Sequence, residues 1–479
     1  MWITIHRSLS VLIKQMMKRF FLTVATVLSL CTLSAQDTVV AKVIAEEPST
    51  PDLVKEKNGG KVKFKPYGFV RNYFYYDSRQ NIQSNAGLYN QIPKDESWNE
   101  THDEDLNDIS SATFLAITSR LGLDVSGVRV LNADLSAKIE TDFCGFASST
   151  TMLRIRQAYM KLKWEHHSLL AGQTWHPMSG TLPDVLGLAS GSPFEPFSRS
   201  PQLRYDYTIA KMRFTLAALW QLQYKSVGPN GKTEDYLNKG ILPEIFVGMD
   251  YANEKGFQIG AGLDMIRLRP RTTMDCEYTT ISTVPDTLFN EDNSIKEIGT
   301  RQDTTKATTK RIVKEYAFSV SPILFINYKH DLFVLNWKAL FGQNTAHLNM
   351  MSGLGATAIN EDGSMEYKPL RNFTTYIDLS YGKKWKVNLF GGFFKNLGMT
   401  DAVIENDKKE KLLYVNGASN IDYIWRVCPA ISYNINKFTV GAEYELTTVG
   451  YGKPDEFGRV EAERDVMNNR VCVMFKFAW

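Results

Sequence analysis

The feature that most constrains this chain is a two-residue alternation of apolar and polar side chains, clearest at its C-terminus. Every odd position from 471 to 479 is apolar, whereas Arg470 and Lys476 occupy even positions. Residues 438–447 repeat the pattern. Because successive side chains of a strand point to opposite faces, each segment has one apolar and one polar wall. Such strands can cross a lipid bilayer while keeping water on their other side.

About sixteen segments of this kind are predicted, and the connections between them are short and long in turn. The first short turn is expected at Gly127-Val128, and others at 210–211, 253–256 and 434–437. Aromatic residues such as Tyr251 and Trp385 flank these turns, which a large soluble β-sandwich would not require. The predicted fold is therefore all-β, a transmembrane antiparallel β-barrel with short periplasmic turns and long extracellular loops. The predicted strands lie near 63–76, 113–126, 129–143, 152–164, 168–176, 202–209, 212–224, 242–252, 256–268, 313–328, 332–342, 371–381, 385–395, 421–433, 437–448 and 468–479.

Residues 1–35 are predicted to be a signal peptide whose true start is Met17. Basic Lys18-Arg19 precedes an apolar stretch that ends at Leu33, and a small residue stands before the expected cut at Gln36. Lipid attachment at Cys31 is the less favoured alternative. Residues 36–60 are polar and rich in turn-forming residues, which indicates a flexible periplasmic lead-in. The barrel is expected over 61–479, in the outer membrane of a Gram-negative bacterium.

The charge balance argues against nucleic acid as a partner. The whole chain carries 55 Lys and Arg against 52 Asp and Glu, but four of the basic residues lie in the leader. The exported part is therefore close to neutral, without the basic excess that nucleic-acid binding needs.

One long connection, near 177–201, is predicted to fold into the barrel as a constriction loop. It contains Phe194 and further apolar side chains that an extracellular loop would leave in water, together with two acids. Each apolar side chain that becomes fully buried would contribute about 1.5–3 kcal/mol. The alternative is that they pack between external loops or against another subunit. The predicted loop residues are Leu182, Asp184, Val185, Leu186, Leu188 and Glu195.

Several arginines are predicted to line the lumen, because their strand neighbours are apolar and an arginine in the bilayer midplane costs about 2–4 kcal/mol. A guanidinium offers a fork of donors to carboxylates, so the cluster would favour anions. Lumen-facing acids oppose this, and the alternative is that the charges only solvate a wet wall. The predicted arginines are Arg120, Arg154, Arg156, Arg204 and Arg213, and the acids are Asp124, Asp134, Glu140, Asp142 and Asp206.

A set of short motifs in the first half of the barrel resembles the DcaP-like porins of Gram-negative outer membranes. The resemblance implies a homotrimer of porin barrels that admits small, often negatively charged solutes such as dicarboxylates. It also places Arg154, Arg156 and Arg204 at lumen-facing positions. Residues 36–60 lack the heptads of the periplasmic coiled coil that some members carry. The motifs are Gly68-Phe69-Val70-Arg71, Thr118-Ser119-Arg120-Leu121-Gly122, Glu140-Thr141-Asp142-Phe143, residues 153–159, Gly172-Gln173-Thr174-Trp175 and residues 200–205.

The function predicted from the sequence is passive diffusion of small hydrophilic solutes across the outer membrane, with no enzymatic activity and no cofactor. The alternatives are a barrel enzyme of lipase or protease type and an adhesin or receptor that uses loops such as 271–311. The histidines are scattered in sequence, and neither they nor the cysteines show metal-site spacing, so no catalytic or metal-binding residue is predicted. A calcium site in the acidic run 102–108 is the less favoured reading of that loop.

Overall fold

The computed structural model describes residues 61–84, 87–145, 152–289, 292 and 295–479. A single antiparallel sheet dominates these residues and closes into a barrel of sixteen strands. The predicted fold class is therefore confirmed, whereas the predicted signal peptide and lead-in lie outside the described residues. The strands are β1 (Lys63–Asp77), β2 (Ser111–Leu115 continued by Arg120–Val130), β3 (Ala133–Gly145), β4 (Met152–Lys163), β5 (His167–Trp175), β6 (Arg199–Ile209), β7 (Met212–Leu219), β8 (Glu244–Ala252), β9 (Phe257–Leu268), β10 (Ala317–His330), β11 (Phe333–Gln343), β12 (Arg371–Gly382), β13 (Trp385–Gly398), β14 (Ile421–Ile435), β15 (Phe438–Pro454) and β16 (Val460–Ala478).

The barrel closes because β1 pairs with both β2 and β16. Its residues from Phe69 to Asp77 pair with β16, and its other edge pairs with the two parts of β2. At the seam the Trp479 backbone N–H donates to the Gly68 carbonyl oxygen at 3.1 Å. A Cβ atom at Gly68 would lie 2.4 Å from the Trp479 ring, so only glycine allows this approach.

The alternation predicted from the sequence places apolar side chains on the outer face of the barrel and polar side chains on its inner face. In β16, Val471 and Phe475 are exposed on the outer face, whereas Arg470 and Cys472 are buried on the inner face. The same division holds in β4, where Leu153 is exposed and Arg156 is buried. The outer wall is therefore an apolar surface of the kind that faces lipid.

The first tight turn differs from the sequence prediction. It lies at Leu131-Asn132, where both residues have positive φ, 51° and 61°, as hairpin turns of type I′ require. Gly127, with φ +91°, lies inside β2 at a register shift between Val125 and Val128. The prediction at Gly127-Val128 was wrong because an isolated glycine inside a strand can mark a bulge instead of a turn.

The long connections carry elements of their own, most of them short and one a long hairpin. Among the described residues, no helix is both long enough and apolar enough to span a membrane. The elements are the hairpins Asn81–Ser84 with Tyr89–Pro93, Trp98–Asn99 with Glu104–Asp105, Val227–Gly228 with Gly231–Lys232 and Thr273–Phe289 with Ile295–Ile312, the three-stranded sheet Gly353–Ile359, Met365–Pro369 and Leu413–Val415, the helix Asp235–Asn238 and the 3-10 helix Ala346–Leu348.

Candidate functional site: the lumen

The connection between β5 and β6, residues 176–198, crosses the lumen, and we call it the inner loop. In the order of the sheet, β13 and β14 lie farthest from the two strands that it joins. Hydrogen bonds nevertheless connect the inner loop to β11, β12, β14, β15 and β1. Since these strands form the opposite wall, the inner loop spans the interior of the barrel.

Glu443 on β15 is one anchor of the inner loop. Its carboxylate accepts hydrogen bonds from the backbone N–H groups of Leu186 at 2.8 Å and Gly187 at 3.1 Å. It also accepts one from the Ser190 hydroxyl at 2.5 Å. From β1, the Tyr73 hydroxyl donates to the Leu186 carbonyl oxygen at 3.0 Å. These bonds satisfy backbone groups that would otherwise be buried without partners.

Arg426 on β14 is a second anchor and is 1 % exposed. Its guanidinium donates to the carbonyl oxygens of Ala189 and Ser190, both at 3.1 Å, and of Ser192 at 2.5 Å. The positive charge is balanced by Glu445, whose carboxylate lies 3.2 Å from Nε. A buried charge with this set of partners fixes the position of the segment that it contacts.

The far wall holds the rest of the inner loop through polar and apolar contacts. The Asp184 backbone N–H donates to the Asp378 carboxylate on β12 at 2.9 Å, and the Asp184 carboxylate contacts Lys386 on β13. The Phe194 ring lies 6.1 Å from the Phe390 ring. A Cβ at Gly392 would lie 2.5 Å from Phe194, so a glycine is needed beneath the ring.

The predicted constriction-loop residues all lie in the inner loop and contact other parts of the lumen. Phe194 is 1 % exposed. Glu195 is buried, and burial raises the pKa of its carboxyl to about 8, while nearby Lys338 acts in the opposite direction. The remaining apolar members, Leu182, Val185, Leu186 and Leu188, are half-buried against the clusters formed by the wall and the neighbouring loops.

Two further segments that sequence reasoning missed also fold into the barrel. In the first hairpin loop, Ile92 is fully buried and the Gln91 carbonyl oxygen accepts a 2.6 Å bond from Arg426. In residues 344–352, Leu348 is fully buried and its carbonyl oxygen accepts a 2.8 Å bond from the Phe197 N–H. Apolar residues in an otherwise polar loop were the available signal, as they were for the inner loop. The lumen is consequently narrowed by three segments.

All five predicted arginines lie on the inner wall, but each is paired with an acid. Arg154 makes two bonds to Asp142, at 2.7 and 3.1 Å. Arg156 reaches the same carboxylate at 2.7 Å and Glu140 at 2.8 Å. Arg120 lies 3.4 Å from Glu140. These three arginines and two acids form one network, whose net positive charge is small.

The other two predicted arginines lie in a different place. Arg204 pairs with Asp206 at 3.1 Å, and Arg213 pairs with Asp250 at 2.6 Å. Both arginines line a cavity of about 380 Å³ beside the start of the inner loop. Predicted Asp124 pairs with Lys138 at 2.7 Å instead of with an arginine. The structure therefore divides the predicted arginines into two groups, the network of Arg120, Arg154 and Arg156 and the cavity-lining pair Arg204 and Arg213.

A basic cluster that the sequence prediction did not assemble surrounds the ring of Phe69 on β1. The charged groups of Arg71 and Arg120 both lie 4.9 Å from the ring centroid, and the Lys476 ammonium lies 5.1 Å from it. Within the described part of the chain, neither Arg71 nor Lys476 forms an ion pair with a carboxylate. We call Arg71, Arg120 and Lys476 the basic cluster. Among the described residues, its three cations have one carboxylate ion-pair partner, Glu140, which Arg120 shares with Arg156.

The fold and the lumen together define a porin-like antiparallel β-barrel. The outer membrane channel DcaP of Acinetobacter baumannii superposes with a TM-score of 0.57 and 16 % identity, over 89 % of this chain and 99 % of that chain. The chain thus has the DcaP-like porin fold. The anion-selective porin from Comamonas acidovorans superposes with a TM-score of 0.49 and 11 % identity, over 88 % of this chain and 100 % of that chain. OmpT of Vibrio cholerae superposes with a TM-score of 0.44 and 12 % identity, over 89 % of this chain and 100 % of that chain. No protein-family model and no curated protein sequence matches the chain.

Proposed function

We propose that this protein is an outer-membrane porin through which small hydrophilic anions diffuse passively. A barrel of this size leaves an aqueous passage unless its interior is filled. The inner loop narrows that interior without forming a separate domain, and its anchors to Glu443 and Arg426 hold it across the lumen. A narrow passage with a fixed loop favours small solutes.

The observation that carries the anion preference is the basic cluster. Arg154, Arg156 and Arg204 are each matched by a carboxylate at 3.1 Å or less, so they attract a passing anion weakly. Among the residues that the structure describes, Arg71 and Lys476 have no such partner, and they face the lumen beside Arg120. Two or three neighbouring cations suit a solute with two carboxylates, because guanidinium forks bind carboxylates in a bidentate manner.

A homotrimer in the outer membrane is proposed on the resemblance to the DcaP-like porins. The outer wall supports a membrane location, since Phe114, Leu153 and Met160 are exposed there. Subunit contacts would then involve barrel walls. Native mass spectrometry of the detergent-extracted protein tests this directly, and a purely monomeric species would contradict it.

The reversal potential across a planar bilayer in a KCl gradient tests the function itself. We expect discrete conductance steps and a potential of the sign that marks chloride as the more permeant ion. A conducting but cation-selective protein would contradict the anion preference alone. A protein that inserts without conducting, and that hydrolyses lipid or peptide, would overturn the porin proposal in favour of the barrel enzyme.

A further inference from the structure

Four ionisable side chains meet in the interior of the barrel where the inner loop begins. His176 is the first residue of that loop, and His347 belongs to the 3-10 helix Ala346–Leu348 of another inward segment. Glu244 starts β8, and Asp264 lies within β9. Each of the four residues is 1 % exposed. The cluster therefore joins two inward segments to two wall strands in a buried site.

The polar atoms of the cluster converge on one point. The Nε2 atoms of His176 and His347 lie 2.6 and 3.0 Å from the same Glu244 carboxylate oxygen. Asp264 Oδ1 lies 3.9 Å from His176 Nε2, and Asp264 Oδ2 lies 3.9 Å from His347 Nε2. His176, Glu244 and His347 thus present one ligand atom each within 4.8 Å of one another.

Glu244 and Asp264 bring two carboxylates together in this buried cluster. Within the described residues, neither Glu244 nor Asp264 forms an ion pair with a lysine or arginine, and the two histidines are their cationic partners. Moreover, one Asp264 carboxylate oxygen, Oδ1, is fully buried without a hydrogen-bond partner. Isolated carboxylates are expensive to bury, and they are normally paired or bound to a metal. A divalent cation would neutralise both.

We propose that His176, Glu244, His347 and Asp264 bind one divalent transition-metal ion of the zinc class. Imidazole nitrogen and carboxylate oxygen are ordinary zinc ligands, and in a tetrahedral site they lie roughly 3.3 Å apart. The present separations of 2.6, 3.0 and 3.9 Å lie on both sides of that value, so shifts below 1 Å bring each of these three pairs to it.

Coordination has a local consequence for the inner loop. In the structure, His176 Nδ1 accepts a hydrogen bond of 3.2 Å from the Met178 N–H. A metal bound at Nε2 would place the ring proton on Nδ1, which could then no longer accept that bond. That hydrogen bond is exchanged for a metal bond that ties the loop to β8 and β9. The ion can arrive from the lumen, because His176 and Met178 line the cavity of about 380 Å³.

The test uses the full-length exported protein, purified folded in detergent and stripped with a chelator at neutral pH. Zinc binding is measured by calorimetry and metal analysis, and Co²⁺ is added as a spectroscopic probe of nitrogen and oxygen ligation. The variants are Glu244→Gln and His347→Gln, and the matched control is His330→Gln in an exposed turn. Heat-modifiable gel migration identifies the folded fraction.

We expect wild type and His330→Gln to bind one zinc ion and to give the visible absorption of tetrahedral Co²⁺. Both cluster variants should bind zinc about 100-fold more weakly, or worse. Wild-type protein without saturable zinc binding, or variants that bind as wild type does, would overturn the proposal. The wild-type titration needs no variant to fold, and its outcome is independent of whether the barrel conducts.

Discussion

Arg71 on the first strand lies directly opposite Lys476 on the last strand, and both side chains face the lumen. Like charges that are directly opposite in an antiparallel pair destabilise the sheet. The pair sits at the seam where the barrel closes, and Phe69 on the same strand lies opposite Arg120 of β2. Because both cations face the lumen, an anion that passes between them would relieve their repulsion, which links the pair to solute selection.

The double substitution Arg71→Gln and Lys476→Gln should shift the reversal potential towards cation permeation. Removing even about 1 kcal/mol of Coulomb attraction, the value for unit charges 4 Å apart in water, changes a permeability ratio about fivefold. Arg129→Gln is the matched control, since that side chain is 69 % exposed at the turn end of β2. Identical selectivity in wild type and the double variant would remove the basic cluster from the mechanism.

Arg156→Ala should act mainly on stability, unlike substitutions in the basic cluster. Arg156 is 4 % exposed and makes close bonds to two acids, so its loss leaves buried carboxylate oxygens without donors, at a cost of about 1–3 kcal/mol each. Urea unfolding in lipid vesicles, followed by tryptophan fluorescence, measures this loss. If Arg156→Ala were stable but changed ion selectivity strongly, Arg156 would act in solute selection, the role that we assign to the basic cluster.

Gly392→Val should release the inner loop and widen the passage. A side chain there collides with the Phe194 ring, and undocking that ring forfeits about 1.5–3 kcal/mol of burial. Gly391→Val is the neighbouring control, because its Cβ would meet only Ile377 at an ordinary 3.7 Å. Single-channel recording should show larger or less steady conductance for the first variant alone. Equal conductance in both would mean that the loop position does not set the width.

Glu443→Gln should weaken the docking of the inner loop without changing the bulk of the residue. An amide offers one acceptor oxygen where the carboxylate accepts three hydrogen bonds, and each buried donor left unpaired costs about 1–3 kcal/mol. We expect the loop to become accessible to added protease and the open-channel current to become noisier. Glu361→Gln, at an exposed loop position, supplies the baseline. Unchanged proteolysis would contradict the anchoring role of Glu443.

The sequence predicted the strands well because a barrel in lipid enforces a strict period of two. The outward positions of β16 followed directly from that period, whereas a bulge in β4 moves the outward phase from Leu153 and Ile155 to Met160. Gly127 misled the prediction because the same residue type serves bulges and turns. The inward position predicted for Arg154 rested on its apolar neighbours Leu153 and Ile155, which are exposed on the outer wall.

The charge balance of the lumen was not predictable, because it depends on the register between neighbouring strands, which the alternation of side chains does not fix. The pairing of Arg156 with Glu140 and Asp142 follows from how β4 lies against β3. The inward face of β1 was ambiguous, since aromatic residues occupy both of its faces, as Tyr73 and Phe74 illustrate. His347 lies in a segment without any periodic pattern, so its approach to His176 had no sequence signal.

The anchors of the inner loop also set the order in which the protein can mature. Arg426 and Glu443 follow the segments that they hold by 237 and 257 residues, respectively, so these landing points do not exist until the last strands are in place. Phe194 and its apolar neighbours can therefore dock only on a barrel that already contains β14 and β15, which makes the narrowing of the lumen a late step of folding.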